Sequence, residues 1–257
     1  MRVLLITQAR MGSTRLPGKI LKTVNNKTLM QTHLERAAKA QLIDHIVVAT
    51  TTSSGDDVLC EVLDALQISY FRGDEHNVLD RFYQAASQYM PEFVVRLTSD
   101  CPLIDPVVID EVVRTMFESS CDYVSNTMAC TMPDGQDVEI FTFQALEKAW
   151  NEAKLLSEKE HVTPYMWKNS SFKEGKLFTS VNYNNQEDYS HVRMTLDELA
   201  DFQVIQELIK KLGDGVGWKE YADCYLSDAT IKGLNQAIER NTGLNKSESS
   251  DKQDSAI

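Results

Sequence analysis

Residues 8–19 read Gln8-Ala9-Arg10-Met11-Gly12-Ser13-Thr14-Arg15-Leu16-Pro17-Gly18-Lys19, and they come almost directly after the uncharged run Val3-Leu4-Leu5-Ile6. A short apolar run that opens into a glycine-rich loop is typical of a buried parallel strand leading into a ligand-binding loop. Gly12 and Gly18 allow main-chain N–H groups to converge on an anion. The loop also holds three cations, Arg10, Arg15 and Lys19. We therefore predict a polyphosphate site at the carboxyl end of the first strand of an α/β sheet.

The spacing within this loop excludes two common phosphate-binding motifs. A P-loop needs Ser or Thr after its Gly-Lys pair, whereas Ile20 follows Gly18-Lys19 here. The Gly-x-Gly-x-x-Gly fingerprint of dinucleotide-binding proteins is also missing from the loop. The remaining alternative is an ordinary surface loop with solvated cations, which the position directly after a buried strand disfavours.

The whole loop from Gln8 to Lys19 resembles the signature of sugar cytidylyltransferases, which include the CMP-sialic acid and CMP-Kdo synthetases. It is most similar to the branch of the spore coat polysaccharide biosynthesis protein F. The resemblance extends over roughly residues 1–212 and is strongest at 8–19, 72–82, 98–106 and 160–165. It implies a Rossmann-like, GT-A-like nucleotidyltransferase fold of the α/β class, with a mixed, mainly parallel sheet and a small β/α insertion. The implied reaction converts CTP and a sugar into a CMP-sugar and pyrophosphate.

Composition limits the partners and the compartment. The chain of 257 residues carries a formal net charge of −12, which disfavours a nucleic-acid or anionic-membrane surface. No apolar run in the sequence approaches the length of a transmembrane helix. The five cysteines are scattered and form no Cys-x-x-Cys pair, so we expect reduced thiols in a cytoplasmic protein.

Strand and helix patterns alternate up to about residue 125, which predicts a parallel sheet with right-handed crossovers. We expect one nucleotidyltransferase domain over 1–240, within which 133–183 is an insertion that serves dimerisation and sugar binding. The homodimer itself is an expectation from the family resemblance. The polar segment 241–257, rich in Asn, Ser, Lys and Asp, is predicted to be a disordered tail.

Two carboxylates are candidates for a magnesium site. Asp100 follows the predicted strand Phe93–Thr98, and Asp197 follows a second predicted strand, Val192–Leu196. Ligands bind at the carboxyl ends of such strands, and Mg²⁺ usually takes one or two carboxylates together with phosphate oxygens. The resemblance assigns both acids to this metal. Asp197 could instead cap the amphipathic helix Leu199–Leu212, and the two roles are compatible.

The segment Arg72-Gly73-Asp74-Glu75-His76-Asn77 follows the third predicted strand. Gly73 lets a flat base approach the main chain, and Asn77 could cap a helix or bond a base or ribose. The resemblance places cytosine and ribose here, and the nucleotide-binding residues that it implies are Ala9, Arg10, Gly12, Ser13, Lys19, Arg72, Gly73, Asp74 and Asn77. The neighbouring Asp80-Arg81 could be a surface ion pair.

Two later segments, 133–139 and 157–165, also resemble the spore coat branch. They offer contacts to the hydroxyl groups or the carboxylate of an acceptor sugar, from Asp137, Glu139, Glu160, His161 and Thr163. The sequence has no His-x-x-x-His spacing, which disfavours zinc, and a purely structural role for His161 stays open.

The implied chemistry is in-line attack of a sugar hydroxyl on the α-phosphorus, with Mg²⁺ between Asp100 and Asp197. Arg10 and Lys19 would stabilise the leaving pyrophosphate, so these four residues are the predicted catalytic set. One alternative is a GT-A glycosyltransferase, which normally uses Asp-x-Asp, whereas Asp100-Cys101-Pro102 lacks the second acid. The other is a non-catalytic nucleotide-sugar-binding protein, which would not need both acids and Lys19.

Overall fold

The structure is a computed structural model that describes residues 2–254, and residues 253 and 254 by their main chain alone. The strands are β1 (Val3–Gln8), β2 (Thr23–Val24), β3 (Lys27–Thr28), β4 (His45–Thr51), β5 (Ser69–Gly73), β6 (Phe93–Thr98), β7 (Tyr123–Ser125), β8 (Glu139–Thr142) and β9 (Ser180–Asn182). The helices are α1 (Leu29–Ala37), α2 (Asp57–Ala65), α3 (Val78–Ser87), α4 (Pro106–Ser119), α5 (Phe143–Glu152), α6 (Leu156–His161), α7 (Pro164–Lys168), α8 (Leu199–Leu212), α9 (Trp218–Ser227), α10 (Ala229–Asn235) and α11 (Thr242–Asp254). Short 3₁₀ turns lie at Lys19–Leu21, Ser54–Asp56 and Ser171–Lys173.

Seven of these strands form one mixed sheet in the order β5-β4-β1-β6-β8-β7-β9. The strands β5, β4, β1 and β6 run parallel, whereas β8 is antiparallel to β6 and to β7. The strand β9 then pairs parallel with β7. The predicted α/β class with a mixed, mainly parallel sheet is confirmed.

The central strand β1 begins with four apolar residues, Val3 to Ile6, because helices cover both faces of the sheet. Successive strand side chains point to opposite faces. Leu4 and Ile6 therefore pack in one core with residues of α3 and α5. Val3 and Leu5 pack in a second core with residues of α4. The carboxyl ends of β1 and β6, which adjoin each other, place the loops after Gln8 and after Thr98 side by side.

The structure differs from the sequence prediction at Val192–Leu196, which does not belong to a strand of the sheet. This segment is extended and buried, but it bonds to loops. The N–H of Met194 donates to the carbonyl of Asp134 at 2.7 Å, and the N–H of Leu196 donates to that of Asp100 at 2.7 Å. A loop segment that is buried on all sides needs the same apolar residues as a central strand. The sequence pattern therefore cannot distinguish a buried extended loop from a strand of the sheet.

The structure also refines the predicted boundaries at 133–183 and 241–257. The strands β8 and β9 of the predicted insertion are members of the main sheet. Residues 242–254 of the predicted tail form the helix α11, which packs against α6. Residues 255–257 lie outside the described part of the chain. Within residues 2–254, no helix is long and apolar enough to cross a membrane.

Candidate active site

The loop after β1 is held by its own main chain and by one buried carboxylate. The N–H of Ser13 donates to the carbonyl of Met11 at 2.9 Å, and the N–H of Met11 donates to Oδ1 of Asp56 at 2.7 Å. Gly18 has a φ of 64°, a left-handed conformation that favours glycine. This turn at Gly18 leads directly into Lys19, whose side chain reaches the centre of the site.

A cavity of about 420 Å³, here called the loop cavity, lies over this loop. Nine of the predicted site residues line it, and seven of them lie on the loop after β1 and on two distant segments: Ala9, Arg10, Gly12, Ser13, Lys19, Asp100 and Asp197. The other two, Glu160 and His161, lie on α6. The structure therefore brings together the predicted phosphate loop and both predicted metal acids.

Lys19 lies between the two acids. Its Nζ donates to Oδ1 of Asp197 at 2.9 Å and to the carbonyl of Leu196 at 2.7 Å, and it lies 3.7 Å from Oδ2 of Asp100. Burial alone would lower the pKa of Lys19, but the charges of Asp100 and Asp197 raise it above its ordinary value. Burial alone would likewise raise the pKa of Asp197, but Lys19, with a smaller contribution from Arg15, lowers it. Both partners are therefore charged at neutral pH.

Asp197 is positioned by loops rather than by the sheet. The residue before it, Leu196, bonds to the carbonyl of Asp100, and Arg15 Nη2 lies 3.0 Å from Oδ1 of Asp197. The alternative role of helix cap is not what the structure shows, because the N-cap position of α8 belongs to Glu198. The N–H of Glu198 donates to Oδ2 of Asp201 at 2.9 Å. The side chain of Asp197 instead lines the cavity, where Lys19 and Arg15 contact it.

A buried arginine fixes the segment that carries Asp197. Arg193 donates through Nε and Nη2 to the two carboxylate oxygens of Asp201, each at 2.9 Å. Its Nη1 donates to Oδ2 of Asp134 at 2.7 Å. Such a forked pairing of guanidinium and carboxylate restricts geometry as well as adding energy. Arg193 therefore holds the segment that precedes Asp197 against the first turn of α8.

The predicted nucleotide-binding residues at 72–77 lie beside the loop cavity but do not line it. Arg72 donates to the carbonyls of Thr51 and Ser53, each at 2.8 Å, and pairs with Asp57. A side-chain carbon on Gly73 would lie 3.0 Å from the ring of Phe71, so this glycine allows close packing.

The other two predicted residues of this segment make local bonds. Asp74 accepts from the N–H groups of His76 and Asn77, each at 2.7 Å. Asn77 caps α3 by accepting from the N–H of Asp80 at 3.0 Å. From this segment, Glu75 and His76 line the cavity instead.

Arg81 also lines the loop cavity, and the sequence prediction missed it. It is 2% exposed, so it is not a member of a surface pair. Its Nη1 donates to the carbonyl of Asp74 at 2.8 Å, and its Nε has no hydrogen-bond partner among the described residues. Burial, and then the charge of Arg10, lowers its pKa to about 10. The helical spacing gave the signal, because Arg81 falls on the buried stripe with Val78, Phe82 and Ala85.

A second cavity of about 520 Å³, here called the side cavity, adjoins the first. Four of the predicted acceptor-binding residues line it: Asp137, Glu139, His161 and Thr163. The wall that the two cavities share is formed by Gln8, Arg10, Arg15, Thr98, Asp100, His161 and Asp197. Both predicted metal acids therefore lie at the junction of two spaces.

Most of the predicted acceptor residues already have a protein partner. Glu139 pairs with Arg96 and accepts from the hydroxyl of Tyr123. Asp137 pairs with Arg240; burial raises the Asp137 pKa, while Arg240 opposes the shift.

Glu160 and His161 share one partner from the tail helix. Ser247 Oγ lies 2.6 Å from Oε2 of Glu160 and 3.2 Å from Nε2 of His161. Burial is the main cause of the lowered pKa of His161, so this imidazole is neutral at pH 7.

The donor chemistry at the junction fits Mg²⁺. Asp100 and Asp197 present hard oxygen ligands in a partly exposed position beside the loop that would hold phosphates. Among residues 2–252, whose side chains are described, no cluster of three or more His, Cys, Asp or Glu side chains could hold a metal alone. A two-carboxylate site that needs substrate phosphates to complete it is the arrangement that Mg²⁺ commonly uses.

The sequence model of the cytidylyltransferase family matches residues 4–231. The chain belongs to the cytidylyltransferase family. It is 30% identical over 222 residues to the spore coat polysaccharide biosynthesis protein SpsF of Bacillus subtilis, which covers 82% of this chain and 88% of that protein. It is 33% identical over 121 residues to the 3-deoxy-manno-octulosonate cytidylyltransferase of Geobacter sulfurreducens, over 46% of this chain and 47% of that enzyme. The predicted superfamily and branch are confirmed, and the protein is a CTP-dependent nucleotidyltransferase.

Solved structures agree with this assignment. A cytidylyltransferase from Leptospira borgpetersenii has a TM-score of 0.85 at 33% identity, covering 93% of this chain and 100% of that chain. A CMP-2-keto-3-deoxy-manno-octonic acid synthetase shares the fold alone, with a TM-score of 0.62 at 14% identity, covering 82% of this chain and 99% of that one. Membership of this cytidylyltransferase family favours nucleotidyl transfer over the glycosyltransferase and binding-protein alternatives.

Proposed function

We propose that the cytidylyltransferase transfers the cytidylyl group of CTP to a hydroxyl group of a sugar, giving a CMP-sugar and pyrophosphate. The observation that carries the proposal is the wall shared by the two cavities. Asp100 and Asp197 face both spaces, so a nucleotide in one and an acceptor in the other would meet at these carboxylates.

The loop cavity suits a triphosphate that binds together with a metal ion, because four cations line it beside the acids Glu75, Asp100, Glu160 and Asp197. Arg10, Arg15, Lys19 and the buried Arg81 all line it. Preorganised cations of this kind stabilise charge that develops on a leaving pyrophosphate. Arg81 is assigned to the nucleotide because it has no carboxylate within ion-pair distance among the side chains of residues 2–252, and such a buried guanidinium favours an anionic or carbonyl ligand.

Asp100 and Asp197 would hold Mg²⁺, which when bound supplies Lewis-acid polarisation of phosphate oxygens. The residues of the chain perform the remaining tasks. Lys19 and Arg15 keep the Asp197 carboxylate ionised and oriented. The hydroxyl of Ser13 adds a hydrogen-bond donor for the phosphates, whereas the N–H groups of Met11 and Ser13 already donate within the protein.

The acceptor is proposed to be a sugar acid of surface polysaccharide biosynthesis. The side cavity offers polar groups for hydroxyls, and Lys173 stands at its wall beside Trp167 and Phe172. Within the described residues, Lys173 has no carboxylate within ion-pair distance, so its ammonium is available for a sugar carboxylate.

The first experiment is calorimetry with the four nucleoside triphosphates and Mg²⁺. We expect tight binding of CTP alone, and a clear preference for ATP or GTP contradicts the proposal. A pyrophosphate-release screen of sugar acids with their neutral analogues then identifies the acceptor, with Asp100→Asn as the inactive control.

A matched pair of lysine variants tests the carboxylate assignment. Lys173→Met should raise the KM of the sugar acid about tenfold, the size of one charged hydrogen bond. Lys176→Met, on the same loop but outside the cavity wall, should leave it unchanged. Equal effects of both variants would show that Lys173 has no specific role.

We further propose a cytoplasmic homodimer whose interface lies within 133–183. Phe172 and Leu177 in this region are 38% and 46% exposed, which is typical of a contact surface. The five cysteines are all free thiols, in keeping with a reducing compartment. Light scattering at micromolar concentration should give a dimer, and the pair Phe172→Ser and Leu177→Ser should give a monomer. A wild-type monomer would rule out the dimer.

A further inference from the structure

The tail helix α11 forms one wall of the side cavity. Residues 241–244, which lead into it and make its first turn, line this cavity together with His161 and Trp167. They lie beyond residue 231, where the match to the cytidylyltransferase family ends. The side cavity of this protein is therefore completed by a segment outside the region common to the family.

One hydroxyl of α11 contacts two residues of the site. Ser247 is 7% exposed, and its Oγ donates to the carboxylate of Glu160 at 2.6 Å. Because that hydroxyl has a single proton, it must accept from His161 Nε2 at 3.2 Å. The neutral imidazole of His161 therefore carries its proton on Nε2, and the three groups form one directed chain.

Three other contacts connect α11 to the site, to α6 and to α7. The N–H of Ser157 at the start of α6 donates to Oδ1 of Asp251 at 3.3 Å. Arg15, which pairs with Asp197, also donates through Nη1 to Oγ1 of Thr242 at 3.3 Å. Lys168 Nζ lies 2.8 Å from Oε1 of Glu248. The start of α11 thus touches the phosphate loop itself.

These contacts hold α11 by polar groups with little apolar burial. Leu244 is the one large apolar residue among its described side chains. Partly exposed ion pairs contribute little to stability, and a short polar helix is marginal by itself in water. The helix is therefore held firmly enough to close the cavity and weakly enough to be displaced.

We infer that the helix Thr242–Asp254 is a cover of the side cavity that excludes water from the reacting phosphorus and limits the size of the acceptor. The inference rests on the proposed function, because it assigns the side cavity to the acceptor. If the cover opens, water takes the place of the sugar hydroxyl. Its oxygen bonds to the α-phosphorus of CTP, the bond to the bridging oxygen of the β-phosphate breaks, and CMP, pyrophosphate and protons are released.

The test compares Ser247→Ala with Ser250→Ala in the full-length protein. Ser250 lies on the exposed side of the same helix, and its hydroxyl bonds only to the carbonyl of Lys246. We expect Ser247→Ala to speed hydrogen exchange in 242–254 by about tenfold. It should raise pyrophosphate release from CTP and Mg²⁺ without any acceptor by at least about threefold. Ser250→Ala should behave as wild type in both measurements.

Glu248→Pro provides a second variant, since a proline inside a helix breaks it and the ion pair to Lys168 is lost as well. If exchange in 242–254 rises in either variant while acceptor-free pyrophosphate release stays at the wild-type rate, the helix is not a cover. If neither variant changes the exchange, the inference is also wrong, because these contacts then do not hold the helix. CTP binding to the wild-type protein is measured by calorimetry as an independent test of the proposed function. If the wild-type protein does not bind CTP, the proposed function is wrong. If the variants bind CTP as tightly as wild type, their change in pyrophosphate release comes from the helix α11 and not from altered CTP binding.

Discussion

The Nζ of Lys19 lies 2.9 Å from Oδ1 of Asp197, although 178 positions separate the two residues in the sequence. The contact ties the first loop of the sheet to the segment that precedes α8. It also neutralises an acid that would otherwise lie partly buried beside Asp100. The loop cation and the late carboxylate are thus one electrostatic unit before any substrate arrives.

Lys19→Met should destabilise the protein at neutral pH by about 2 kcal/mol, the size of a charged hydrogen bond. The pKa of Asp197 is lowered in the folded state, so its stabilisation is present above its ordinary value of 3.8 and is lost as the pH falls below it. The pKa of Lys19 is raised, so its stabilisation is present below 10.5 and is lost above it. The difference between wild type and variant in urea unfolding should therefore be constant from pH 5 to pH 9 and shrink towards pH 3. If the difference in unfolding free energy is as large at pH 3 as at pH 7, the variant is destabilised by lost packing and not by the lost ion pair. Lys148→Met, which breaks an exposed pair with Glu152, is the control.

Asp100→Asn and Asp197→Asn should each lower turnover by about 10² or more, because each removes charge at the same reacting centre. The double variant should be little worse than either single one, since groups that act as a unit are not additive. Both single variants should also melt earlier because each removes a charge that stabilises the Lys19 ammonium, and Asp197→Asn should lose more because Asp197 also pairs with Arg15. Steady-state kinetics over a magnesium titration measures the effect, and chelation by EDTA should abolish wild-type turnover. Multiplicative losses in the double variant would mean that the two acids work independently.

Arg81→Met should separate binding from stability. The methionine fills similar space without burying an unpaired charge, so the free energy of unfolding should be equal or higher. CTP affinity should fall by about tenfold to a hundredfold, as for the loss of a charged hydrogen bond. Calorimetry and thermal unfolding measure the two quantities. A less stable variant with normal CTP affinity would show that Arg81 serves only its bond to Asp74.

Arg193→Met should be the most destabilising of these substitutions, by about 3–5 kcal/mol, because it leaves the buried Asp134 and Asp201 without their shared cation. Arg114→Met removes an exposed helical pair with Glu111 and should cost less than about 0.5 kcal/mol. Urea unfolding at pH 7 measures both. A loss below about 1 kcal/mol for Arg193→Met would indicate that water or relaxation replaces the missing charge.

The parts of the fold that the sequence predicted well are those with strong local patterns. Phe93–Thr98 is a mostly apolar run, broken by Arg96, next to a loop, and the structure makes it β6 with the same limits. The helix Leu199–Leu212 repeats apolar residues at helical spacing, and α8 has the same limits. In such segments the local preference and the tertiary packing agree.

The less predictable parts depend on long-range contacts. The direction of the Arg72 side chain is decided by carbonyls of the β4–α2 loop, which no pattern around residue 72 reveals. The tail has a disordered composition, yet α11 forms because Glu160, His161 and Lys168 offer polar partners to it. The burial of Arg81 could have been predicted from its position on the apolar stripe of α3, but its neighbour Asp80 suggested a surface ion pair.

The main-chain bond from Leu196 to Asp100 has an evolutionary consequence. This bond holds Asp197 beside Asp100, although the segment that carries Asp197 does not pair with β6 as a strand. The loops between the strands of the intervening chain can therefore change in length while the two acids keep their places. That chain includes Trp167 and Lys173 of the side cavity. On the proposed assignment of the side cavity to the acceptor, changes in this stretch would alter which sugar is accepted while Asp100 and Asp197 keep their places.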